Sequence, residues 1–514
     1  MNGSLTEFAI EKQQDYYSST SSLERKQRGH FGTPSQIAEF MAEMFSMKSR
    51  KTLRILDAGA GVGMLSAALC QRVLSQRKPQ RLHFELWEND PGLVPLLEDS
   101  MLHCQRRLQE AGLEMEFDIR EQDFILANSS KNLFEAGLNA SFDFAIMNPP
   151  YFKLRKESPQ ARAMKHVVHG QPNIYALFMA LAADLLVPGG ELVAITPRSY
   201  FNGPYFKRFR KWFFEQMTPR QIHIFESRKD AFSENSVLQE NVILKVEKRG
   251  EKADVLLTSS KGRNLSQLAQ RMVAHHQVID ESGGERVVRI SSNQFEQEII
   301  DAMDALPNRF RDLGFDISTG PVVTFRSTEF LRHQRSKETA PLFWMHNIRP
   351  FVTRFPPENG KPFHIEVSES SKKLLVPART YILLKRFTAK EEKRRLVAGI
   401  MRREDSYSNW VGLENHLNYV YRDNAELTLV EAFGLAAFFN SAFVDRYFRA
   451  ISGNTQVNAT EIRGMPVPEI ELLEEMGEQM LQKEFKDLRT VEEVVGSVLQ
   501  LPKSLVDHLI EVSK

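Results

Sequence analysis

Cysteine is nearly absent from this chain: its 514 residues hold two, Cys70 and Cys104. Two cysteines rule out a disulfide framework and a cysteine-rich zinc site, and they suit a reducing cytoplasm. An excess of charge is also lacking, since 67 Lys and Arg face 66 Asp and Glu for a formal net charge of +1. No global attraction to nucleic acid follows, so any basic surface has to be local. A secretory leader, apolar runs of membrane-spanning length and internal repeats are missing too. What remains is a cytoplasmic chain with room for two or three domains and a large core. Its start is polar, with Ser, Ser, Thr, Ser and Ser at 18–22, and reads as a loose arm over 1–28.

Against these absences stands a dense set of motifs in the first half. Segment 53–63, Leu-Arg-Ile-Leu-Asp-Ala-Gly-Ala-Gly-Val-Gly, reads as a buried strand entering a glycine-rich turn, and 64–74 carries Leu, Ala and Val at helical spacing. Strand, turn and helix in this order make a nucleotide-binding unit, because glycine lets the backbone approach a ligand closely. Tight turns need glycine for steric reasons as well, so the loop alone does not decide. The next strand, 82–88, ends in Glu88, 29 positions after Gly59. An acid there can hold ribose hydroxyls; a solvated strand end is the plainer use of the residue. Beyond an amphipathic stretch at 93–112 and a short segment at 115–119 come Asp123 and Phe124. Asp123 can accept a hydrogen bond from an adenine amine while Phe124 packs on the ring, or the acid simply caps a turn.

The apolar run Phe142-Asp143-Phe144-Ala145-Ile146-Met147 ends in Asn148-Pro149-Pro150-Tyr151. These residue types suit methylation of an amino nitrogen. The exocyclic amine of a nucleobase is a poor nucleophile because its lone pair is delocalised into the ring. The Asn148 side-chain oxygen and the Pro149 carbonyl can accept both amine hydrogens and draw the nitrogen towards tetrahedral geometry. Pro150 lacks an N–H and forces Pro149 into an extended conformation, which stiffens the carbonyls. Tyr151 offers a ring face for a base removed from its helix. Catalysis of this kind needs no thiol and no metal. The structural alternative is a strand followed by a Pro-Pro turn.

With these elements in this order, the chain resembles the S-adenosylmethionine-dependent DNA adenine-N6 methyltransferases of type II restriction–modification systems, and within them the gamma class. In that class a short cofactor-side motif comes first, then the glycine loop, then Asn-Pro-Pro-Tyr, with the target-recognition domain last. The resemblance implies an α/β fold: a Rossmann-like methyltransferase domain over 29–250 with a mostly parallel seven-stranded sheet, then a mixed α+β target-recognition domain over 262–468. A helical element over 469–514 closes the chain. The implied cofactor is S-adenosyl-L-methionine. Thr33 and Pro34, in Gly29-His30-Phe31-Gly32-Thr33-Pro34, would sit over its methionine end, with Asp57, Gly59, Gly61 and Glu88 below. Asp123, Phe124 and Phe178, the last on a helix at 173–187, would surround its adenine. Asn148, Pro149, Pro150 and Tyr151 would act on an adenine flipped from double-stranded DNA bound between the two units. Phe232, in the loop between strands at 221–225 and 241–246, would stack on the base's other face, with Phe225 as the fallback. A separately encoded restriction endonuclease is the expected partner.

The composition shifts at 248–262, where charge, Gly and Ser replace the apolar pattern, so a domain boundary is expected there. Beyond it, 372–403 holds eleven Lys or Arg against two acids, a local +9. Lys385, Arg386, Lys393, Arg394 and Arg395 are the expected phosphate contacts, on a strand at 381–387 and the basic segment after it; a solvated face is the plainer reading. Segment 452–463, Ser-Gly-Asn-Thr-Gln-Val-Asn-Ala-Thr-Glu-Ile-Arg, resembles one that recurs late in these recognition domains. The same tetrapeptide also serves enzymes that methylate a protein glutamine or an RNA guanine amine, but those typically lack a long basic second unit. Cytosine-specific relatives usually carry Ser at the position of Asn148. A nicotinamide oxidoreductase would leave the tetrapeptide unexplained, and a specificity protein would leave the whole first half unexplained.

Overall fold

In the computed structural model of the chain the described residues are 3–29, 32–47, 51–77, 81–129, 141–168, 170–202, 204–225, 241–260, 265, 267–281, 284–291, 293–357, 360–388, 392–423, 425–451, 456–484 and 487–512. They form two units, Met1–Ser292 and Asn293–Lys514.

The first unit opens with α1 (Leu5–Ser19), α2 (Ser22–Arg28) and α3 (Ser35–Glu43). It then alternates strand and helix through β1 (Thr52–Ala58), α4 (Met64–Gln76), β2 (Arg81–Trp87), α5 (Val94–Glu110), β3 (Glu114–Arg120), α6 (Phe124–Ser129) and β4 (Phe142–Met147). The turn α7 (Pro159–Ala163) and helix α8 (Ile174–Leu185) lead to β5 (Leu186–Pro197), α9 (Lys207–Gln216), β6 (Met217–Phe225), β7 (Asn241–Lys248), β8 (Val255–Ser260) and β9 (Ala269–Val273). Among the described residues the strands form one sheet in the order β3-β2-β1-β4-β5-β7-β6-β8-β9. The pairs β1–β2, β2–β3, β1–β4 and β4–β5 are parallel, whereas β7 runs antiparallel between β5 and β6.

The two-residue period of the central strands divides the core into two layers. Leu56, Ala58, Ala145 and Met147 point to the face covered by α8 and α9, while Ile55, Leu53, Phe144 and Ile146 point to the face covered by α3, α4 and α5. Helices on both faces are what continuous apolar strands require. The chain proceeds outward from β1 to β2 and β3, then returns to the other side of β1 for β4. That reversal opens a crevice at the carboxyl ends of β1 and β4, where open parallel sheets bind ligands.

Three expectations change here. The sheet has nine strands among the described residues rather than seven, because β8 adds parallel to β6 and β9 pairs antiparallel with β8. For the same reason the division falls at 292/293 and not at 248–262; residues 249–254 only join β7 to β8 of the same sheet. The N-terminal 1–28 region is no loose arm. Ser4 and Glu7 form a capping box that starts α1, and Leu5 and Ala9 are buried among α3, α4 and α5. Leu5 N donates to Gln71 Oε1 (2.9 Å), and Lys12 pairs with Asp99 (2.6 Å).

The second unit mixes strands and helices. An antiparallel sheet takes the order Phe315–Thr319, Leu417–Arg422, Tyr381–Lys385, Ala398–Met401. It shares a core with helices Leu429–Asn440, Ala442–Ile451, Ile470–Gln482, Leu488–Val498 and Lys503–Val512. A mixed sheet around Thr339–Phe343 adds a second, smaller core. The tail is therefore integral. Helices Leu429–Asn440 and Ile470–Gln482 meet backbone to backbone: a Cβ on Gly434 would lie 1.9 Å from the Leu473 carbonyl oxygen, and one on Gly477 the same distance from that of Val430.

Candidate active site

The crevice at the strand ends is a cavity of about 510 Å3. Its floor is the turn after β1. Gly61 takes a positive φ of 58° and donates its N–H to Glu88 Oε2 at 2.9 Å. The N–H groups of Asn89 and Asp90 both reach Glu88 Oε1 at 2.9 Å. Three backbone donors thus fix the Glu88 carboxylate and leave about one of its roughly four acceptor positions for a ligand. Gly59 N and Ala60 N donate to the Trp87 carbonyl at 2.9 and 3.0 Å, tying the two strand ends together.

Aromatic rings make one wall. Phe124 stands 5.2 Å from Phe178 and 5.5 Å from Trp87, centroid to centroid, and all three line the cavity. Asp123 is at the edge of this group, with Oδ1 accepting from Leu126 N (2.9 Å) and Oδ2 from Gln160 Nε2 (2.8 Å). It therefore does cap a turn, and it faces the cavity as well.

Asn148, which lines the cavity, is gripped from two sides. Its Nδ2 donates to Thr33 Oγ1 at 3.0 Å, and its Oδ1 accepts from the Tyr151 hydroxyl at 2.6 Å. Thr33 is buried and acts through Asn148 rather than lining the cavity, and Pro34 is the residue that precedes α3. Pro149 is buried, whereas Pro150 lines the cavity. The Tyr151 hydroxyl also lies 3.0 Å from the Ile195 carbonyl. Burial pushes the Tyr151 hydroxyl well above its ordinary pKa, so it stays protonated and remains a donor.

Asp57 departs from its expected place. It is wholly buried beneath the loop and does not line the cavity; its Oδ2 accepts from Ser66 Oγ at 2.6 Å. Burial raises its pKa to about 7, with Ser66 opposing and Glu88 adding to the rise. Asp57 therefore acts on the loop from below.

Sequence reasoning missed one wall entirely. Gln13, Tyr16 and Tyr17 of α1 line the cavity, and so does Asp90. The Tyr16 hydroxyl donates to Asp90 Oδ2 (2.9 Å), and the Tyr17 hydroxyl accepts from Gly32 N (3.2 Å). The Ser-x-x-Glu cap at Ser4 and Glu7 was the available signal, and it announces a helix without saying what that helix faces. Phe232 lies outside the described residues, and Phe225 is buried in the layer shared with α3 and α4.

The basic run of the second unit divides. Arg395 is wholly inside: its Nε donates to Thr388 Oγ1 (3.2 Å) and its N–H to Asp445 Oδ1 (2.6 Å). Arg394 reaches the Asn440 carbonyl and pairs with Glu492 at 3.4 Å. Both hold the fold and are not placed to contact phosphate. Lys393 is exposed. Lys385 and Arg386 are half-buried, and Arg386 bonds the Asn415 carbonyl (2.9 Å) and Gln456 Oε1 (3.2 Å). Among the described residues no cluster of His, Cys, Asp and Glu suits a metal ion, and no helix is long and apolar enough to cross a membrane.

Comparison with known proteins agrees with this geometry. Residues 82–232 match the Eco57I restriction-modification methylase family. The type II methyltransferase M.BsuBI of Bacillus subtilis is 35% identical over 462 residues, covering 89% of this chain and 91% of that protein. M.PstI of Providencia stuartii is 35% identical over 479 residues, covering 93% and 94%. The type IIL restriction-modification enzyme MmeI, solved in complex with DNA, shares the fold at a TM-score of 0.57 with 11% identity over 93% of this chain and 75% of its own. With its cavity at the strand ends and these relatives along nearly its whole length, the chain belongs to the type II methyltransferases of restriction–modification systems.

Proposed function

We propose that this DNA methyltransferase moves a methyl group from S-adenosyl-L-methionine to N6 of an adenine flipped out of duplex DNA, protecting the site from a separately encoded endonuclease. The observation that carries the reading is the Asn148 side chain held between Thr33 and Tyr151 in the wall of a cavity that Glu88 and the aromatic group also line. The residues fit the cofactor. Glu88 offers an acceptor to a ribose hydroxyl, Trp87, Phe124 and Phe178 offer ring faces to its adenine, and Gly59 and Gly61 bring backbone close to the methionine end.

S-adenosylmethionine supplies a methyl group already activated on a sulfonium. The protein's contribution is then mostly positioning. Asn148 Oδ1 and the Pro149 carbonyl accept the two amine hydrogens and aim the nitrogen lone pair. The Tyr151 hydroxyl donates to the same Asn148 Oδ1 and fixes its direction. Bound S-adenosylmethionine would offer its methyl group to the nitrogen that Asn148 and Pro149 hold, leaving S-adenosylhomocysteine, and the amine proton displaced would pass to solvent. The Tyr151 ring, with Phe232 opposite, clamps the base. Asn rather than Ser at position 148 favours adenine over cytosine.

The test is expression in a host without adenine methylation, followed by sequencing that detects modified bases, with tritiated donor offered in parallel to DNA, RNA and protein. N6-methyladenine at one recurring sequence is the expected result. Label in RNA, in protein or on cytosine would overturn the reading.

A further inference from the structure

A second cavity, of about 470 Å3, lies in the first unit and is lined by Lys156, Arg162, Lys165 and Arg208, with Glu157 as its acid. The four cations are exposed, and among the described residues none of them makes an ion pair. Nearby Lys207 is different, because it is paired with Glu285 at 2.6 Å.

The floor under these charges is built. Segment 159–168 is amphipathic: Ala161, Met164, Val167 and Val168 are buried in the core, and Arg162 and Lys165 point away from it. Arg208 is tied to the same segment, its guanidinium donating to the Lys165 carbonyl at 3.0 Å. Residues from two separate stretches therefore bring like charges to one concavity, an arrangement that repels itself until an anion enters. Exposed cations usually mark only a solvated face; here they converge on a pocket with a rigid base.

Its position says which anion. Gln160 of α7 lines the first cavity and bonds Asp123, while its neighbours Ala161 and Arg162 line the second. Successive helical residues rise by about 1.5 Å, and a helix with its side chains is roughly 10–12 Å across, so the two cavities flank a single turn. Phe152 and Leu154, which follow Tyr151, line the first cavity, and Lys156 and Glu157 line the second. Lys156 follows Tyr151 by five residues, so a strand that brings a base to Asn148 on the wall of the first cavity has its backbone close to the second.

We propose that this second cavity binds backbone phosphates of the DNA strand whose base enters the first. The proposal rests on the nucleic-acid substrate assigned above, and it gives the catalytic unit its own grip on the target strand.

The experiment uses the full-length protein, a mixed-sequence duplex and fluorescence anisotropy over a salt series. Wild type is compared with Arg162→Gln/Arg208→Gln, with Lys165→Gln, and with a control pair, Arg81→Gln/Arg489→Gln. Each phosphate contact contributes about 0.9 to the slope of log affinity against log salt, so the first variant is expected to lose roughly 2 from the slope and Lys165→Gln about 1. The low-salt affinity of the double variant should fall at least about tenfold, with the control unchanged. Calorimetric binding of S-adenosylmethionine at unit stoichiometry verifies that each variant is folded. If wild type binds the duplex and both test variants keep its slope and affinity, the second cavity is not a phosphate site. If the loss appears only on an RNA duplex, the DNA assignment of this cavity fails. If wild type binds no duplex DNA at all, the substrate reading fails and takes this proposal with it.

Discussion

Loosening the grip on Asn148 without removing it provides the most discriminating test of the site. Thr33→Val deletes the acceptor at 3.0 Å from Asn148 Nδ2, and Tyr151→Phe deletes the donor at 2.6 Å from Oδ1 while keeping the ring. A hydrogen bond of this kind contributes a net ~0.5–1.5 kcal/mol, the Tyr151 bond towards the upper end because the pair is short and shielded. Spent on orienting the amide, that is a factor of roughly 2 to 13 in the rate of transfer, at about 1.4 kcal/mol per tenfold. Asn148→Ala removes the acceptor itself and should cost about 10^2 to 10^3, the range seen when one preorganised polar group is lost from a reacting centre. The expected order of loss is therefore Asn148→Ala, then Tyr151→Phe, then Thr33→Val. The assay is single-turnover transfer of a tritiated methyl group to DNA from a host lacking the modification, with cofactor affinity measured separately. Affinity should stay within a few-fold in all three. The positioning argument fails if Tyr151→Phe and Thr33→Val both react at the wild-type rate. It fails too if Asn148→Ala stays within tenfold of it.

Three other outcomes follow from the geometry. Tyr16→Phe removes the hydrogen bond to Asp90 at the cavity wall and should weaken S-adenosylmethionine binding by roughly 2- to 13-fold with little change in single-turnover rate; titration calorimetry reads the first and label transfer the second. Asp57 has a pKa near 7 when folded against 3.8 in its ordinary state, so between those values the folded protein holds a proton that the unfolded chain has released. Its contribution to stability therefore falls as pH rises from about 4 through 7, by at most about 1.4 kcal/mol per pH unit. Asp57→Asn should flatten that decline in urea titrations at pH 5 and pH 8, and parallel curves for variant and wild type would rule the explanation out. Arg395→Ala leaves Thr388 and the surrounding core without a buried guanidinium and should cost about 3 kcal/mol, which lowers the melting temperature by roughly 6–12 °C. Its DNA-binding salt slope should match wild type, because the charge never faces solvent; a reduced slope in folded variant protein would contradict that.

Whatever depends on short stretches of chain is legible before folding. Apolar runs and helical spacing mark β1, α4, β4 and α8 close to their observed limits, because period and turn chemistry are local properties. The glycine loop and Asn-Pro-Pro-Tyr are legible for the same reason, since each is a run of consecutive residues. Tertiary structure decided whatever depends on distant partners. Asn148 is oriented by a residue 115 positions away, and Tyr16 joins the cavity wall through one 74 positions away. No periodicity encodes such contacts, so a capped helix at 5–19 looked like a loose arm. The basic run shows the converse. A count of charges treats Arg394, Arg395, Lys385 and Lys393 alike, but packing against Asp445 buries Arg395, bonds to Asn440 and Glu492 tie down the half-buried Arg394, and Lys393 is left at the surface. Meanwhile Arg208 and the cations of 156–165, which no single run distinguishes, come to one pocket only because α9 folds back onto the segment after Tyr151. Sequence sets each residue's chemistry, and burial and convergence decide which of those chemistries reaches a ligand.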